Sequence, residues 1–485
     1  MAHPQEQQTS KGISEDWLAV WLGLIVIALA LLSYAGPNLL GWVVTTRVWT
    51  DPTQALAPAA ASWAALGGFG SLIITWLLLL IAFTVGARFL NVNIKRFATA
   101  FTVLFWLAYA CWFIGSQAHL AVNTPADAEK FGITWSLKLT SEGGYILALL
   151  AGLIIGNFLP RVAHWLREAI RPELYIKAAI VILGAYLAVM AAGRASFAAS
   201  LVLRGVAAIV EAYLIYWAVI YFIARKWFGF TREWAAPLAS GISICGVAAA
   251  ISTGGAIRAR PLVPVVVSSL VVVFAVVELL ILPFLAQTFL WQQPLVAASW
   301  MGLAIKTDGA AVAGGGITES LILAKAAAEG VRYEPGWILG TTATIKIFID
   351  VFIGIWAFIL AFIWTRHVNP REPDKARTGE IWLRFPKFII GYAVSFVAVL
   401  LLALSADAPS LTKLSGVIAE ANHFRVIFFL LTFFSIGVLS DFRKLWKEGL
   451  GKLAAVYVLS LFGFVIWVGL LISWIFFADV KPPLA

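Results

Sequence analysis

Two segments of this chain are long enough to cross a membrane, yet each is interrupted near its middle by small or charged residues. Residues 241–260 contain glycines, hydroxyls and a thiol, and residues 297–317 contain Lys306-Thr307-Asp308-Gly309 and then three consecutive glycines. Irregular backbone at membrane depth is tolerated only where protein or a wet cavity satisfies its N–H and C=O groups. Paired, glycine-interrupted segments are a sequence sign of a transporter's binding site. We therefore expect a transport site where the two interruptions meet.

The first interruption is suited to binding an oxyanion. A helix that restarts after a break presents free N–H groups and a partial positive charge, which bind anions without a formal cation. We expect the interruption to lie within residues 243–255. Ser243, Ser252 and Thr253 offer hydroxyl groups there, and Gly246, Gly254 and Gly255 leave backbone amides bare. Ser-Thr-Gly-Gly at 252–255 also places four weak helix formers in a row. Small residues that let helices pack closely are the alternative explanation. The substrate-binding candidates in this segment are Ser243, Cys245, Gly246, Ser252, Thr253 and Gly254.

The second interruption places two charges inside an apolar segment. Such charges cost a few kcal/mol each unless they are paired or hydrated, so they are functional candidates. Asp308 could bind a coupling cation or a proton, while Lys306 and Thr307 could bind the substrate. A loop tip at the membrane interface is the alternative for this segment.

A third pair of charges follows within the apolar run 341–364. Lys346 and Asp350 are four residues apart, so they project from one helix face and can pair, either for ion coupling or for structure alone. Glu211 and Glu278 are single carboxylates inside other apolar runs, where each could carry a proton or pair with a neighbouring cation.

Composition excludes most other classes of protein. The chain has 485 residues, of which 61% are hydrophobic and 12% charged, so it is an integral membrane protein. The net charge of +10 comes from basic loops between apolar runs, so we expect no nucleic-acid partner. Cys111, Cys245 and five scattered histidines give no metal-ligand spacing, and we expect no metal and no cofactor. No nucleotide-binding or hydrolytic motif is present, so we expect no enzyme.

The apolar runs predict an all-α polytopic membrane protein with about thirteen transmembrane helices, two of them interrupted. The stretches 241–287 and 302–364 resemble each other as a broken segment followed by a long span, which predicts an internal repeat. We divide the chain into an N-terminal tail (1–16), a first span with accessory spans (17–139), a transporter core (140–477) and a C-terminal tail (478–485).

Loop charge predicts the orientation. Basic residues cluster in alternate loops, which the positive-inside rule places in the cytoplasm. This puts the N-terminus in the cytoplasm and the C-terminus in the periplasm of a bacterial inner membrane. By the same charges, the two interrupted segments run in the same direction, whereas a simple inverted repeat would make them antiparallel.

Four short motifs give the chain a family resemblance. They are Leu147-Ala-Leu-Leu-Ala-Gly-Leu-Ile-Ile-Gly-Asn157, Ser243-Ile-Cys-Gly246, Thr344-Ile-Lys346 and Ile436-Gly-Val-Leu-Ser-Asp441. Across residues 140–477 the chain resembles the sulfate exporter family of bacterial membrane proteins. The resemblance implies a secondary transporter of small anions, such as sulfur oxyanions. It also implies a remote similarity to cation/proton antiporter and bile-acid symporter folds, which have crossed broken helices and are commonly homodimers.

The chain departs from that family at two places. Where the family commonly has a histidine, an acid and a threonine, this chain has Lys306-Thr307-Asp308. The position three residues after Lys346, usually arginine, is Ile349 and is followed by Asp350.

We therefore expect a secondary active transporter of a sulfate-like, sulfite-like or sulfonate anion, most simply an exporter. It would be coupled to H⁺ or Na⁺ through Asp308, Lys346 and Asp350. The alternatives are a cation/proton antiporter, an anion channel and a membrane scaffold that transports nothing. The lipid bilayer and a second copy of the chain are the expected partners.

Overall fold

A computed structural model describes residues 13–90, 92–122, 125–137, 139, 143–260, 262–364, 382, 385–440 and 451–485. Almost all of this part of the chain is helical. Its one sheet pairs two short antiparallel strands, β1 (Val44–Thr46) and β2 (Leu56–Pro58). The all-α polytopic class is therefore confirmed.

The helices in chain order are α1 (Glu15–Ala35), α2 (Gly67–Phe89), α3 (Ile94–Gly115), α4 (Ala118–Ala121), α5 (Pro125–Lys130), α6 (Gly143–Phe158), α7 (Pro160–Leu166), α8 (Pro172–Gly193), α9 (Ala195–Gly205), α10 (Ala207–Val210), α11 (Trp217–Phe222), α12 (Arg232–Ser243), α13 (Gly246–Ala256), α14 (Leu262–Phe289), α15 (Pro294–Ala304), α16 (Asp308–Ala328), α17 (Trp337–Val351), α18 (Ile353–Ile363), α19 (Phe388–Ser405), α20 (Ala408–Leu439), α21 (Gly451–Ser460) and α22 (Ile466–Phe477). Shorter 3-10 turns (Pro52–Gln54, Ala61–Leu66) and π-helical stretches (Glu211–Tyr216, Ile223–Trp227, Leu461–Val465) complete the described elements.

Nine helices of the described chain are long and apolar enough to cross a membrane, or ten if the bent pair α6 and α7 forms one span. A helix satisfies its own backbone N–H and C=O groups, which is why helices can pass through hydrocarbon. The chain is thus a multi-pass membrane protein. The count of thirteen crossings is not confirmed, and the two interrupted segments account for part of the difference.

The first interrupted segment turns back on itself instead of crossing. Ser240 in α12 and Thr253 in α13 share a hydrogen bond of 2.7 Å between their hydroxyls. Arg260, just past α13, donates its backbone N–H to Glu233 Oε1 at 2.7 Å. On one straight helix these pairs would be separated by about 20 and about 40 Å. We name this helical hairpin, with inbound arm α12 and returning arm α13, hairpin 1.

The second interrupted segment also turns back. Gln287, near the end of α14, donates its side-chain N–H to the Leu321 carbonyl of α16 at 3.4 Å. The Lys325 ammonium lies 5.9 Å from the centre of the Trp291 ring, although the two residues lie on opposite sides of the break. We name this second unit hairpin 2, with inbound arm α15 and returning arm α16.

The two hairpins enter the bundle from opposite ends. The 28 residues of α14 join them and span about 42 Å, which is more than the hydrocarbon thickness of a bilayer. We call the end at the base of hairpin 1 the hairpin 1 end and the other the hairpin 2 end. The prediction that both segments cross in the same direction is therefore wrong, because neither of them crosses. The internal repeat stays a prediction.

The first break lies within the predicted interruption but covers only a small part of it. It lies at Ile244 and Cys245, whereas Ser252, Thr253, Gly254 and Gly255 are helical within α13. The glycines at 314–316 likewise lie inside the continuous helix α16. The second break, at residues 305–307, lies where it was predicted.

The N-terminal helices pack on the core through aromatic side chains. The Phe83 ring of α2 lies 5.2 Å from Phe101 of α3, 5.1 Å from Tyr175 of α8 and 5.4 Å from Phe428 of α20, measured between ring centres. The division into accessory and core segments stays a prediction. Two of the basic loops that predict the orientation fall at 365–381 and 441–450, which lie outside the described residues.

Within the described residues, α1 begins near one end of the bundle and α22 ends near the other. Asp16 in the first turn of α1 accepts a hydrogen bond of 2.8 Å from Lys177, and both residues line one cavity with the returning arm of hairpin 1. Asp479, after α22, donates its backbone N–H to Gln293 Oε1 at 2.7 Å, at the base of hairpin 2.

The hairpin geometry predicts a specific disulfide. In a background without Cys111 and Cys245, Ser240→Cys with Thr253→Cys should cross-link efficiently under mild oxidation, because the native hydroxyls lie 2.7 Å apart. Mass spectrometry of the digested protein measures the cross-linked peptide. The control pair Ser240→Cys with Gln293→Cys should not react. A straight crossing helix would leave both pairs unlinked.

Candidate functional site

The tips of the two hairpins touch. The backbone N–H of Gly246, the first residue of returning arm α13, donates to the Lys306 carbonyl in the break of hairpin 2 at 2.5 Å. A side chain at position 246 would not fit, because a Cβ there would lie 2.0 Å from Val271 Cγ1 of α14. Glycine therefore lets the two tips meet, and the contact joins two breaks that are sixty residues apart in the sequence.

The breaks form because a few residues leave the helical conformation. Cys245 is extended, with φ −134° and ψ 115°, and the hydrogen-bond ladder of α12 cannot continue through it. In hairpin 2, Thr307 is extended, and its hydroxyl accepts the Ala310 N–H at 3.2 Å, which makes it the N-cap of α16. The N-terminal ends of both returning arms therefore lie at the junction.

A lysine caps the carbonyl end of each inbound arm. Lys346 of α17 donates to the Ile244 carbonyl at 2.8 Å, and Lys306 donates to the Leu303 carbonyl. The last carbonyls of a helix carry partial negative charge and lack partners within the helix, so an ammonium group stabilises both features. Two of the predicted site lysines thus hold the hairpin tips in place.

Acidic groups surround one of these lysines. Asp308 Oδ1 lies 3.6 Å from Lys346 Nζ. The Cys245 sulfur and one carboxylate oxygen each of Asp308 and Asp350 lie within 4.8 Å of one another. All four side chains are buried. Neither oxygen of Asp350 makes a hydrogen bond of full geometry within the described chain, and the carboxyl group of Asp308 is its neighbour. If both acids are ionised, the group has one uncompensated negative charge and can take up a proton or another cation. We name these four residues the junction cluster.

Pairing within the junction cluster differs from the sequence prediction. The four-residue spacing predicted that Lys346 pairs with Asp350, but the ion pair within 4.0 Å is made with Asp308. Asp350 is still an electrostatic neighbour of the lysine. Because the Lys346 ammonium already supplies a positive charge beside Cys245, Asp308 and Asp350, we assign no metal to the cluster. The expected lack of a metal stays a prediction.

A cavity connects the junction cluster with the hairpin 1 end. Its volume is about 310 Å³, and its lining reaches from Asp16 at the start of α1 to Asp308 at the tip of hairpin 2. Lys177, also in the lining, forms ion pairs with Asp16 at 2.8 Å and with Glu173 at 3.3 Å. The returning arm of hairpin 1 forms one wall of this cavity.

A larger cavity opens from the hairpin 2 end but does not reach the junction cluster. Its volume is about 930 Å³, and its lining includes Arg47, Lys130 and the part of α16 from Gly316 onward. Gly316 is eight residues beyond Asp308, or about 12 Å along the helix. Of these two cavities, only the smaller one touches the cluster.

A sequence profile of the family described as conserved hypothetical protein 698 matches residues 135–456. The chain belongs to this family. It is 41% identical over 479 residues to a UPF0324 membrane protein of Nitrosomonas europaea, with 97% of each chain covered. It is 28% identical to a UPF0324 membrane protein of Rhodopirellula baltica, over 86% of this chain and 68% of that one. No solved structure matches the chain.

The four motifs on which the resemblance to the sulfate exporter family rests lie at two different places in the structure. Cys245, Gly246 and Lys346 lie at the hairpin tips. The other motifs join α6 to α20, where a Cβ on Gly152 would lie 2.3 Å from the Phe434 carbonyl and Asn157 donates to the Ser440 carbonyl at 2.8 Å. Asp441 lies outside the described residues. Only the first group touches the candidate site.

The remaining predicted ligands lie apart from the junction cluster. Ser243 donates to the Ala239 carbonyl of its own helix at 2.5 Å, and Thr253 donates to Ser240. Gly254 faces the ring of Pro264, and Ser252 lines the smaller cavity. The Lys306 ammonium lies 4.4 Å from the centre of the Tyr216 ring. In the described structure Asp308 forms its ion pair with Lys346 and not with Lys306.

The acids and the lysine at the mouth of the smaller cavity were not predicted from the sequence. Asp16, Glu173 and Lys177 lie near the starts of α1 and α8, where charged residues are expected at a membrane interface. The four-residue spacing of Glu173 and Lys177 was a usable sign of a pair on one helix face. Nothing in the sequence indicated that these two residues lie beside Asp16, which is more than 150 residues away along the chain.

Removal of Lys346 should strongly destabilise the fold. Lys346→Met leaves the Ile244 carbonyl and a buried carboxylate without their donor, which should lower the free energy of unfolding by about 3–5 kcal/mol. Equilibrium unfolding in mixed detergent micelles measures this. Lys325→Met is the control, since Lys325 forms an exposed pair with Glu329 and should cost no more than about 1 kcal/mol.

The double variant Lys346→Met with Asp308→Asn should recover part of the loss, because it removes the stranded charge together with its partner. Equal effects of Lys346→Met and Lys325→Met would contradict a tip that depends on this lysine.

Proposed function

We propose that the chain is a secondary active transporter of a small anion, coupled to protons. The observation that carries the proposal is the contact between the tips of two hairpins that enter from opposite ends. Three of the four arms have 11 or 12 residues and are about 17 Å long, roughly half the hydrocarbon thickness, while α16, the returning arm of hairpin 2, has 21 residues. Non-helical backbone is thus brought to the middle of the membrane and enclosed by protein, as at the binding sites of transporters.

One-sided access supports a carrier over a pore. The cavity at the hairpin 1 end reaches Asp308, whereas the lining of the larger cavity stops about 12 Å short of it along α16. In an alternating-access cycle, movement of the hairpin tips would close the first route and open the second. A channel would need both routes open at once.

Proton coupling follows from the charge balance of the junction cluster. With Asp308, Asp350 and Lys346 all charged, the net charge is −1, which repels an anion. Each proton taken up by a carboxylate removes one negative charge at short range, where electrostatic interactions are strong because the site is buried. Anion affinity and proton affinity therefore rise together, and this reciprocal linkage is what coupling requires.

The returning arm of hairpin 1 offers the anion site. Val247 and Ala248 are in the first turn of α13 and line the smaller cavity, and no side chain caps this helix start. Free amide groups at a helix N-terminus bind oxyanions such as sulfate or sulfite. Lys177, in the same lining, supplies a cation. The proposal includes no covalent chemistry and no cofactor.

We further propose that the hairpin 1 end faces the cytoplasm of a bacterial inner membrane. Basic residues Arg225, Lys226, Arg232 and Lys452 lie in or beside helices that end there, in line with the positive-inside rule. The N-terminus would then be cytoplasmic, the C-terminus periplasmic, and the present state open to the cytoplasm, as suits an exporter. A second copy of the chain remains a proposed partner.

A cation/proton antiporter is the second candidate, and a specific observation favours it. The cavity lining holds three acids, Asp16, Glu173 and Asp308, against the single cation Lys177. This excess of carboxylates would attract a metal cation as readily as a proton.

Flux measurements in proteoliposomes test the proposal. An imposed pH gradient should drive radiolabelled sulfate or sulfite uptake, and Asp308→Asn or Asp350→Asn should reduce the pH-driven rate at least about tenfold, because each removes a carboxylate that takes up the coupling proton. Glu329→Gln, an exposed acid distant from the cluster, is the matched control and should keep the wild-type rate.

The alternatives give different results in the same vesicles. Proton movement driven by sodium without any anion would identify the antiporter, and anion flux that ignores the pH gradient would identify a channel. Lack of any flux in the wild type, and no effect of either aspartate variant, would contradict transport.

Cysteine accessibility tests the one-sided state. Ser252→Cys, in the smaller cavity, should react with a membrane-impermeant maleimide added at the hairpin 1 end, and Ser320→Cys, in the larger cavity, only from the hairpin 2 end. Labelling is measured in vesicles of both orientations, in a background without Cys111 and Cys245. Equal labelling of Ser252→Cys from both ends would contradict a carrier closed on one side.

A further inference from the structure

A second group of buried ionisable side chains lies at the other face of the hairpin 2 tip. Glu211 begins the π-helical stretch that follows α10, Glu278 lies in the middle of α14, and Lys306 lies in the break of hairpin 2. Their exposed fractions are 0%, 1% and 1%. We name these three residues the rear cluster. The cavity that leads to the junction cluster does not include them in its lining.

The carboxylates of the rear cluster are buried beside few hydrogen-bond donors. No oxygen of Glu211 or Glu278 makes a hydrogen bond of full geometry in the part of the chain that the structure describes, and the neighbouring donors are the Tyr216 hydroxyl for Glu211 and the Lys306 backbone N–H for Glu278. An ionised carboxylate in such a place costs several kcal/mol, and a bound proton removes that cost. Two such acids beside one lysine are unusual for a purely structural core, which would satisfy or omit them.

Contacts around Lys306 join the members of this cluster. The lysine donates to the Leu303 carbonyl and lies over the Tyr216 ring, and its electrostatic neighbours are Glu211, Glu278 and Lys346. Glu211 and Tyr216 converge on Gly469 of α22, where a Cβ would lie 3.6 Å from Glu211 Oε1 and 2.8 Å from the Tyr216 hydroxyl.

The groups that face the two acids come from every neighbouring element. Lys306 and Tyr216 face Glu211, while Lys306, Lys346 and the buried Tyr457 of α21 face Glu278. Lys346 therefore faces Glu278 of the rear cluster as well as Asp308 and Asp350 of the junction cluster. A change of charge at one cluster is felt at the other.

The rear cluster repeats the chemistry of the junction cluster. In each, one lysine caps the carbonyl end of an inbound hairpin arm and lies among two buried carboxyl groups. Lys346 does this at Ile244 with Asp308 and Asp350, and Lys306 does it at Leu303 with Glu211 and Glu278. The same charge balance, one cation against two acids, leaves one negative charge to be neutralised in each.

We propose that the rear cluster is a second proton-binding site. A proton from water forms an O–H bond on a carboxylate oxygen of Glu211 or Glu278, and the same bond breaks when the proton leaves. Its role in transport rests on the proposed function: the cycle then takes up one proton at each cluster, so two protons accompany each anion.

Infrared difference spectroscopy of the purified protein across a pH series tests proton binding without any substrate. Wild type should show a C=O band of protonated carboxyl groups, and Glu211→Gln and Glu278→Gln should each lose part of it. Glu211→Asp and Glu278→Asp should retain it, and Glu329→Gln, at an exposed position, should match wild type. If the two glutamine variants give the spectrum of Glu329→Gln, the rear cluster binds no proton and the proposal fails.

Proteoliposome flux then tests the role of the second proton. With radiolabelled sulfate as the probe, the ratio of protons to sulfate should fall by about half in Glu211→Gln with Glu278→Gln, since one of the two clusters is removed. An unchanged ratio would overturn the second coupling site and leave the proposed function intact. Absence of pH-driven sulfate flux in wild type would instead contradict the proposed function, while the infrared result would still decide whether the rear cluster binds protons.

Discussion

The rest of the structure depends on satisfying backbone groups where two helices end in the middle of the bundle. A helix that stops inside a protein leaves its last carbonyls and first N–H groups without partners, and water cannot reach them all. Here the carbonyl ends are capped by Lys346 and Lys306, one returning arm is capped by Thr307, and the Gly246 N–H bonds the opposite tip. These contacts bring buried charge to the junction, and the proposed chemistry follows from that charge.

Sequence patterns predicted the class of protein and the two interrupted segments, but not that each of these segments turns back as a hairpin. A hairpin with two arms of about 11 residues has the length and hydropathy of one full crossing, so hydropathy alone cannot separate them. The distinction appears only in pairs such as Ser240 with Thr253, which are 13 residues apart and in contact. Each of the two hairpins had been counted as one crossing, so two crossings are removed from the predicted number. Removing an even number leaves the predicted placement of the termini on opposite sides of the membrane unchanged.

The predicted interruption in hairpin 1 was longer than the observed break for a physical reason. Glycine and serine weaken a helix in water, but in a membrane bundle they also let helices approach closely. Gly254 packs on Pro264, Gly314 packs on Ile305 and Gly315 packs on Thr342, and all three are helical. The actual break, at Ile244 and Cys245, contains no glycine or proline, and a single glycine, Gly246, follows it. Tertiary contacts with α17 and hairpin 2 stabilise it, and those lie beyond local sequence.

The charged residues at the hairpin junction could be named from the sequence, although their pairing could not. Charged residues inside apolar runs are costly, so Lys306, Asp308, Lys346 and Asp350 were identifiable from the sequence. Their partners were not, because Asp308 and Lys346 belong to different elements and meet only through the tip contact. The most direct measurement is an experimental density map of the protein in a lipid nanodisc. We predict that Gly246 and Lys306 lie in contact near the middle of the lipid layer, and a map in which either segment crosses as one continuous helix, or in which the tips are apart at the lipid surface, would contradict the account.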